Sequence, residues 1–447
     1  MVLLNPGPVN VSERVRQALL HPDICHREDE FSELLHRIQA KLLKAFVPGA
    51  ESDYVAVVMT GSGTAAVEAA LMSSLPHGRR MLILNNGVYG ERMSQIIGLH
   101  RLGVSELKYE WTVRPDPEKL LLALRQHQEV HVVGMVHHET TTGLLNPVHE
   151  IAEIVDNQNR AFVLDAVSAL AGETLNIAKS HIYMVAGTAG KCIQGFPGVS
   201  FVLVRKGFVE KMRAYPKRSW YLHLTHYIDN EGQGTIPFTP AVQVYYAFDE
   251  ALDELLEEGV HNRIQRYKKM ATLIRERMAK LGVKALLPMD RQSNTITAYH
   301  LPEGVSYQSL HDRLKQQGYV IYAGQGNLEN KIFRVANMGA LSEAQFGEFL
   351  DALRAVGERP AEGDLRRSGL RAGGRCTYDR HCRGRAEGAQ YGASSRLMLI
   401  CHGSSSVKCD TGVRATVACF IAPDWSPRRQ QPIIQVDRFA NDSRKTP

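Results

Sequence analysis

One lysine, Lys191, combines a position and a side chain that suit covalent chemistry on a carbonyl group. It follows an apolar run at 182–186, which is typical of a buried strand, and a turn of small residues at 187–190. A lysine at a buried strand end can be desolvated, which lowers its pKa and makes its amine a Schiff-base nucleophile. From this segment alone, a surface lysine that extends its amine into water is the alternative interpretation. The sequence must therefore supply partners elsewhere.

A carboxylate ends a second apolar run. Asp165 follows the predicted strand 162–164, where an unpaired buried charge would cost several kcal/mol. The carboxylate therefore needs a cationic partner. A protonated pyridine nitrogen is one candidate, and a helix cap or a salt bridge to an arginine is the structural alternative.

Two further segments are suited to binding anions. Ser62, Gly63 and Thr64 lead directly into a predicted helix, so their backbone N–H groups and hydroxyls would meet a phosphate at the positive helix end. Glycine turns before helices also occur without a ligand. Arg334 lies on an apolar strand, where its guanidinium can bind an anion bidentately or pair with a structural carboxylate.

Tyr89 completes the set, because it lies in a turn between a predicted strand and helix, where it can stack on a ring or simply pack. Together, the amine of Lys191, the carboxylate of Asp165, the turn 62–64 and this aromatic ring match pyridoxal phosphate. That cofactor needs an amine for its aldehyde, a carboxylate for its ring nitrogen, an anion site and an aromatic face. The structural alternatives explain each residue singly but do not explain the four jointly.

Eight motifs in a fixed order carry a family resemblance. They are LLNPGPVNV, DICHREDEF, TGSGTAAVEAAL, NNGVYGERM, HHETTTG, DAVSALAG, GKCIQGFPG and FRVANMG. Over about residues 2–356 the chain resembles the class V, fold-type I aminotransferases. DICHRE and KCIQGFPG resemble the phosphonate branch of this class more than the alanine–glyoxylate and serine–glyoxylate enzymes.

The resemblance implies a role for each matching position. Lys191 would bind the aldehyde of pyridoxal 5'-phosphate, and Asp165 would pair with its ring nitrogen. The other implied cofactor-binding residues are Ser62, Gly63 and Thr64 at the phosphate, Tyr89 on the ring, Thr140 near the phenolic oxygen, and Thr239 at the phosphate of the neighbouring subunit. A homodimer with shared active sites is therefore expected, and no metal is implied.

Substrate-binding residues are implied in the same way. Arg334 would bind the acidic end of the substrate, and Pro6 and Gly7, in the turn 5–8, would line the entrance. Gly190 departs from the family pattern, because relatives usually carry Gln or Asn before the lysine. An amide near the phosphate is thereby absent, and the turn before Lys191 is expected to be looser.

The implied reaction is transamination of 2-aminoethylphosphonate with pyruvate, giving phosphonoacetaldehyde and L-alanine. An enzyme of the alanine–glyoxylate or serine–glyoxylate type is the nearest alternative. A cysteine desulfurase is disfavoured, because Cys192 adjoins the lysine and is expected to pack in the core. A non-catalytic or nucleic-acid-associated protein that acts through its basic tail is a remote alternative.

Alternating strands and helices position these residues, which predicts an α/β fold with a mainly parallel, seven-stranded type of sheet covered on both faces. The predicted strands are 54–59, 81–84, 131–137, 162–164, 182–186 and 199–204, and the predicted helices are 30–46, 65–75, 90–102 and 148–157. Residues 218–240 are predicted to form a long functional or interface loop.

A smaller α+β domain is predicted to follow a helical tract at 242–281. Its predicted strands are 295–300, 320–322 and 332–335, and its predicted helices are 307–317 and 342–356. The expected organisation is an N-terminal segment without secondary structure that lines the active site (1–15), a large cofactor-binding domain (16–250), a small C-terminal domain (251–357) and a tail (358–447).

Charge and cysteines separate the tail from the body. The net charge is +6, but residues 361–447 hold 15 Lys and Arg against 8 Asp and Glu, which leaves 38 against 39 in residues 1–360. The body thus lacks the basic excess typical of nucleic-acid binding. Only two of seven cysteines lie in the body, and no window is apolar enough to cross a membrane, so a cytoplasmic enzyme is expected.

The tail, 358–447, is predicted to be disordered or spuriously coded, because it is rich in Arg, Gly and Ser and lacks sustained periodicity. Its cysteine spacings do not form the paired C-x-x-C pattern of a structural zinc site. A metal-binding or RNA-binding extension is the alternative interpretation.

Overall fold

A seven-stranded sheet is the largest element of the computed structural model, which describes residues 1–231, 235–357, 407–408 and 414–415. The strands, in chain order, are β1 (Val2–Leu3), β2 (Tyr54–Gly61), β3 (Arg80–Asn85), β4 (Gly103–Lys108), β5 (Val130–Val136), β6 (His138–Glu139), β7 (Leu144–Leu145), β8 (Ala161–Asp165), β9 (Met184–Thr188), β10 (Gly198–Arg205), β11 (Ile296–His300), β12 (Tyr319–Val320), β13 (Tyr322–Ala323), β14 (Ile332–Ala336), β15 (Val407–Lys408) and β16 (Arg414–Ala415).

The sheet runs in the order β2-β10-β9-β8-β5-β3-β4. Strand β10 is antiparallel to both of its neighbours, and the other pairs are parallel. Strands β5, β8 and β9 are buried along almost their whole length, as expected when helices cover both faces of a parallel sheet. The predicted mainly parallel sheet and α/β class are confirmed.

Twelve α-helices lie in the described part of the chain. They are α1 (Glu13–Gln17), α2 (Asp29–Phe46), α3 (Gly63–Ser74), α4 (Val88–Leu99), α5 (Pro117–Gln126), α6 (Val148–Asn157), α7 (Lys206–Arg213), α8 (Leu224–Glu231), α9 (Val242–Glu258), α10 (Val260–Lys280), α11 (Tyr307–Gln316) and α12 (Glu343–Gly357). Helix α3 is rich in small apolar residues, and it packs on β9 and β10. It therefore brings its N-terminus close to the end of β9.

Three predictions about elements were wrong. The tract 242–281 is two helices, because Gly259 adopts a left-handed φ of 84° that interrupts the helix. The segment predicted to be a long loop contains α8, whose apolar residues pack against β2 and α3. The strand before the lysine begins at Met184 and extends through Thr188, so Gly187 belongs to the strand and not to the turn.

Strand β4 and helix α5 are among the elements that were not predicted. Strand β4 is an edge strand of intermediate burial, so it lacks the apolar run that marks the inner strands. Helix α5 begins with a favourable capping arrangement, in which Asp116 accepts hydrogen bonds from the first turn and Pro117 occupies the first helical position. These local signals could have identified it.

A smaller sheet, in the order β11-β14-β13, packs with α10, α11 and α12 around a second apolar core. The N-terminal segment contributes to this core. Strand β1 pairs with β12, Leu4 is fully buried in the small core, and the Leu4 N–H donates to the carbonyl of Val320 at 2.8 Å. The expectation that residues 1–15 lack secondary structure was therefore wrong, since they contain β1 and α1.

Beyond residue 357 the structure describes one short antiparallel pair, β15 with β16. The prediction of a disordered or spurious tail at 358–447 otherwise lies outside the described residues. None of the helices in the described ranges is long and apolar enough to cross a membrane.

Candidate active site

The carboxyl ends of β2, β8 and β9 gather the sequence-predicted residues at one edge of the large sheet. Ser62 follows β2 and is the N-cap of α3, Asp165 ends β8, and Lys191 follows β9 by three residues. These three strands run in the same direction, so their carboxyl ends lie at the same edge. Ligands of open α/β sheets bind in the crevice beyond these ends.

Lys191 is covered by the N-terminal turn. Its Nζ donates a hydrogen bond to the carbonyl oxygen of Pro6. Gly7 also packs closely against the lysine side chain, because a Cβ atom added at Gly7 would lie 2.8 Å from Lys191 Nζ. Burial lowers the pKa of Lys191, whereas the charge of Asp165 raises it. A desolvated amine beside a carboxylate suits covalent binding of an aldehyde.

The turn before Lys191 is tightly packed. A Cβ atom added to Gly190 would lie 3.1 Å from Pro197 Cα and from Pro197 N, so the backbone of the turn lies against this proline. The expectation of a loose turn at Gly190 was therefore wrong. Absence of a side chain there permits close packing of two loop segments.

Residues after the lysine tie this loop to the small sheet and α10. Gln194 Nε2 donates to the Tyr267 hydroxyl at 2.7 Å and to the Gly339 carbonyl at 2.8 Å. Arg263 Nη1 donates to the Cys192 carbonyl at 3.2 Å. These buried contacts fix the backbone that follows Lys191.

Cys192 packs in the core, as expected. Its side chain is fully buried, and burial raises the pKa of its thiol to about 12. A thiol in this state is neutral and weakly nucleophilic. The geometry therefore disfavours cysteine desulfurase chemistry at this residue.

Asp165 is a buried carboxylate that carries few hydrogen bonds. Its Oδ1 accepts from the Val167 N–H at 3.0 Å. Burial raises the pKa of Asp165 to about 6, and the Val167 N–H, Arg92 and Lys191 oppose this shift. The carboxylate thus lies close to both cations, and its site would be stabilised by a cationic ligand atom.

A narrow pocket joins Asp165 to the start of α3. Its lining includes Gly63, Thr64, Tyr89 and Arg92. Gly63 is required by close packing, since an added Cβ would lie 2.6 Å from Val167 Cγ1. The first N–H groups of α3 have no partner within the helix, and the Ser62 side chain does not cap them. This combination forms a site for an anion at the positive helix end.

Arg92 is a site residue that the sequence analysis missed. Its Nη1 donates to Thr64 Oγ1 at 3.2 Å, and its guanidinium carbon lies 4.7 Å from the centre of the Tyr89 ring. It follows Tyr89 by three residues on α4, so the two side chains lie on the same helix face. That spacing was the available signal for a cation beside the predicted ring-binding tyrosine.

Glu139 is a second missed residue, and it fixes the start of α4. Its Oε2 accepts from the N–H groups of Tyr89 and Gly90 at 3.1 and 3.4 Å, and its Oε1 accepts from Thr141 Oγ1 at 2.5 Å. Burial raises the pKa of Glu139 to about 7. These three hydrogen bonds and a fourth from the Thr141 N–H lower the pKa and so oppose this shift. Glu139 thereby positions Tyr89 rather than lining the pocket itself.

Arg334 extends from β14 to the turn that follows β6. Its Nε donates to the Ala323 carbonyl and its Nη1 to the Thr140 carbonyl, both at 2.8 Å. The guanidinium carbon lies 4.7 Å from the centre of the Tyr322 ring. Nη2 is buried and has no hydrogen-bond partner among the described residues. The arginine is therefore positioned by two backbone bonds and retains donors for an anion.

The predicted residues are thus largely brought together. Gly63, Thr64, Tyr89 and Asp165 line one pocket. Lys191 meets Pro6 and Gly7, and its charge lowers the pKa of Asp165 in that pocket. Thr140 is buried, and its carbonyl rather than its hydroxyl contacts Arg334. Thr239 is exposed and lies outside this pocket within the described part of the chain.

This donor set fits pyridoxal 5'-phosphate. The desolvated amine of Lys191 suits an aldehyde, the buried carboxylate of Asp165 suits a protonated ring nitrogen, and the start of α3 with Arg92 suits a phosphate. The Tyr89 ring beside the pocket supplies an aromatic face. Together with the mainly parallel sheet, the site defines a fold-type I enzyme that depends on this cofactor.

The chain belongs to the class V aminotransferase family. The family model described as Aminotransferase class-V matches residues 14–339. The chain is therefore an aminotransferase that uses pyridoxal 5'-phosphate.

Curated relatives cover most of the chain. A protein of Syntrophobacter fumaroxidans named 2-aminoethylphosphonate–pyruvate transaminase is 37% identical over 344 residues, which are 76% of this chain and 91% of that protein. A protein of Salmonella schwarzengrund with the same name is 35% identical over 365 residues, which are 79% of this chain and 97% of that protein.

Solved structures share the fold. An aspartate aminotransferase of subgroup IV from Thermus thermophilus superposes with a TM-score of 0.73 at 26% identity, covering 80% of this chain and 99% of that chain. An alanine–glyoxylate aminotransferase from Nostoc sp. gives a TM-score of 0.74 at 26% identity, with 79% and 94% covered. The described fold is thus similar to aminotransferases with different named substrates.

Proposed function

We propose that this chain transfers the amino group of 2-aminoethylphosphonate to pyruvate, giving phosphonoacetaldehyde and L-alanine. The names of two relatives at 35–37% identity support these substrates. The observation that carries the proposal in the site itself is the buried, unpartnered Nη2 of Arg334 among the described residues. A phosphonate and a carboxylate are both anions that a guanidinium can bind.

Lys191 and Asp165 are the proposed catalytic residues. When bound, pyridoxal phosphate supplies an electron sink that makes the carbon bearing the amine acidic. Lys191 would hold the cofactor covalently and, once displaced by the substrate amine, would remove the proton from that carbon. Asp165 would keep a proton on the ring nitrogen, and the positive start of α3 at Ser62, Gly63 and Thr64 would bind the phosphate.

Arg334 and the N-terminal turn would orient the substrate. Arg334 is held by the Thr140 and Ala323 carbonyls, so its free edge would orient the anionic group of either substrate. Pro6 and Gly7 cover the amine of Lys191 and would limit the access of water. The same arginine can serve both half-reactions, since each substrate carries one strongly acidic group.

The assembly and location belong to the same proposal. A homodimer would let the exposed Thr239 reach the phosphate bound by its partner. The large domain would comprise 16–250 and the small domain 251–357, although residue 250 lies inside α9. A cytoplasmic enzyme accords with the cysteine-poor body.

The decisive experiment is a substrate panel with the purified, cofactor-loaded protein. Formation of L-alanine from 2-aminoethylphosphonate and pyruvate is expected, with far slower turnover of alanine or serine with glyoxylate. Preference for glyoxylate would contradict the proposed substrates while leaving the aminotransferase class intact. Truncation after residue 360 should preserve turnover, whereas a protein that acts through its basic tail would lose its activity.

A further inference from the structure

A buried carboxylate, Glu173, joins the segment of Asp165 to the small domain. Its Oε1 accepts from the Asn294 N–H at 2.5 Å, and its Oε2 accepts from Asn294 Nδ2 at 2.8 Å. Asn294 Nδ2 also donates to the Gly172 carbonyl at 3.3 Å. The Glu173 side chain is 3% exposed, so these hydrogen bonds form away from water. The two residues are 121 positions apart in the chain.

A short backbone segment connects Glu173 to Asp165 in the cofactor pocket. After Asp165, the chain makes a compact turn in which the Glu173 N–H donates to the Ala169 carbonyl at 2.8 Å. Within the same turn, the Cys192 thiol donates to the Ser168 carbonyl at 3.5 Å. Glu173 is therefore connected through short backbone segments to both Asp165 and Lys191.

Asn294 is connected to the strand of Arg334 by hydrogen bonds and by strand pairing. The Asn294 carbonyl accepts from Asn337 Nδ2 at 2.9 Å, and the Thr295 carbonyl accepts from the Asn337 N–H at 3.0 Å. Strand β11, which begins two residues later at Ile296, pairs directly with β14, which bears Arg334. A displacement of Asn294 would therefore be transmitted to the strand that carries the anion-binding arginine.

A carboxylate is an unusual choice for this place. Burial raises the pKa of Glu173 to about 8, and the Asn294 N–H and the charge of Arg275 oppose the shift. Arg275 is itself held on the small-domain side, where its Nε donates to Thr297 Oγ1 at 3.0 Å. A buried carboxylate costs stability, and an apolar side chain of similar volume would avoid that cost. The two bonds to Asn294 give it a geometric role that an apolar residue lacks.

We propose that Glu173 is a positioning residue that acts through Asn294 to hold Arg334 at the distance from Lys191 that the acidic substrates require. This inference rests on the proposed function, because Arg334 must bind substrate anions. Glu173 touches neither substrate nor cofactor, and its effect is on substrate binding. It therefore determines KM rather than the chemistry at Lys191.

The test compares Glu173→Ala, Glu173→Gln and Asn294→Ala with Glu276→Gln, an exposed glutamate on α10. In Glu173→Ala and Asn294→Ala, KM for 2-aminoethylphosphonate and for pyruvate should rise about tenfold, as expected when buried hydrogen bonds are lost. The kcat and the visible absorbance of the bound cofactor should change less than about twofold. Glu173→Gln should give a smaller rise, and Glu276→Gln none.

A double mutant extends the test, and hydrogen exchange makes it independent of substrate identity. The KM of the enzyme with both Glu173→Ala and Asn294→Ala should be little higher than that of either single variant, because both changes remove the same contact. Faster amide exchange at 293–296 and 334–337 is expected in Glu173→Ala, with unchanged exchange at 54–61.

Three outcomes would overturn the positioning role. They are unchanged KM values in an active Glu173→Ala enzyme, equal losses of kcat and bound cofactor, and unchanged exchange at 293–296. Absence of wild-type turnover on 2-aminoethylphosphonate would contradict the proposed substrates instead. The exchange result would still decide whether Glu173 holds Asn294.

Discussion

Lys191 Nζ donates a hydrogen bond to the Pro6 carbonyl oxygen, which lies 185 residues earlier in the chain. Leu4, two residues before Pro6, is held by β12 and β14, since the Leu4 N–H donates to the Val320 carbonyl and the Ala336 N–H donates to the Leu4 carbonyl, each at 2.8 Å. The first residues of the chain therefore connect the small sheet to the candidate catalytic amine. This relationship makes the N-terminal segment part of the site.

Gly7→Ala should disrupt cofactor binding more than folding. The new Cβ would lie 2.8 Å from Lys191 Nζ, in a backbone conformation with φ of 133°. Turnover and cofactor-dependent absorbance should fall about tenfold or more, since the lysine must move. Gly49→Ala is a matched control, because its φ is also left-handed but nothing lies within 4 Å of the added Cβ. The control should lose only about 1 kcal/mol of stability. Equal effects of both changes would contradict a specific contact with Lys191.

Lys191→Ala should abolish both covalent cofactor binding and turnover, because no other amine is assigned to the cofactor aldehyde. The expected readout is loss of the visible absorbance of the bound cofactor, while the circular dichroism spectrum stays unchanged. Lys44→Ala, at an exposed position on α2, should preserve both. An unchanged cofactor spectrum in Lys191→Ala would exclude this lysine as the attachment site.

Arg334→Lys should weaken binding of both substrates. Lysine retains the charge but cannot donate to the Ala323 and Thr140 carbonyls and to an anion at the same time. KM for each substrate should rise about tenfold or more, which corresponds to about 1.4 kcal/mol. Arg313→Lys, an exposed position on α11, should leave KM unchanged. Steady-state kinetics with each substrate varied separately provides the measurement, and a purely structural Arg334 would alter only stability.

Arg92→Met should weaken cofactor binding. The substitution keeps much of the apolar stem over Tyr89 but removes the bond to Thr64 Oγ1 and the positive charge near Asp165. The cofactor dissociation constant should rise about tenfold, the loss expected for a charge-assisted hydrogen bond. Equilibrium dialysis against pyridoxal phosphate would measure it, with Arg125→Met, exposed at the end of α5, as the control. Equal affinity in both variants would exclude a role for Arg92 at the phosphate.

Glu173 should make the cofactor-free protein less stable as the pH rises from 4.5 to about 8. The folded pKa of Glu173 is raised from 4.5 to about 8, so the folded state binds more protons than the unfolded state in this interval. Glu139 and Asp165, raised to about 7 and about 6, act in the same direction over narrower intervals. Burial lowers the pKa of His137 to about 3 and the pKa values of His138 and His223 to about 4, so these histidines act in the opposite direction below pH 6.5. Thermal unfolding should therefore show a falling Tm from about pH 6.5 to about 8. Glu173→Gln should flatten the upper part of the curve, whereas Glu276→Gln should reproduce the wild-type slope.

Short local patterns were sufficient to predict much of this protein. The strand, turn and helix around Ser62, the apolar strand ending at Asp165 and the lysine after the next strand are each encoded within about a dozen neighbouring residues. Parallel strands place their carboxyl ends at one edge, which explains why the predicted sheet class brings these residues together. The break at Gly259 was missed, since a glycine within a helical pattern does not reveal its φ.

Only the tertiary structure decided which distant residues support that site. The contacts of Lys191 with Pro6, of Glu139 with the start of α4, and of Glu173 with Asn294 join segments that the sequence pattern treats separately. Each depends on strand order and on how the segments between the strands pack, because a side chain's partners across such separations are set by the whole fold. The sequence by itself determined the chemical groups and the sheet that gathers them. Tertiary packing determined the orientation of these groups, their desolvation and therefore their pKa values.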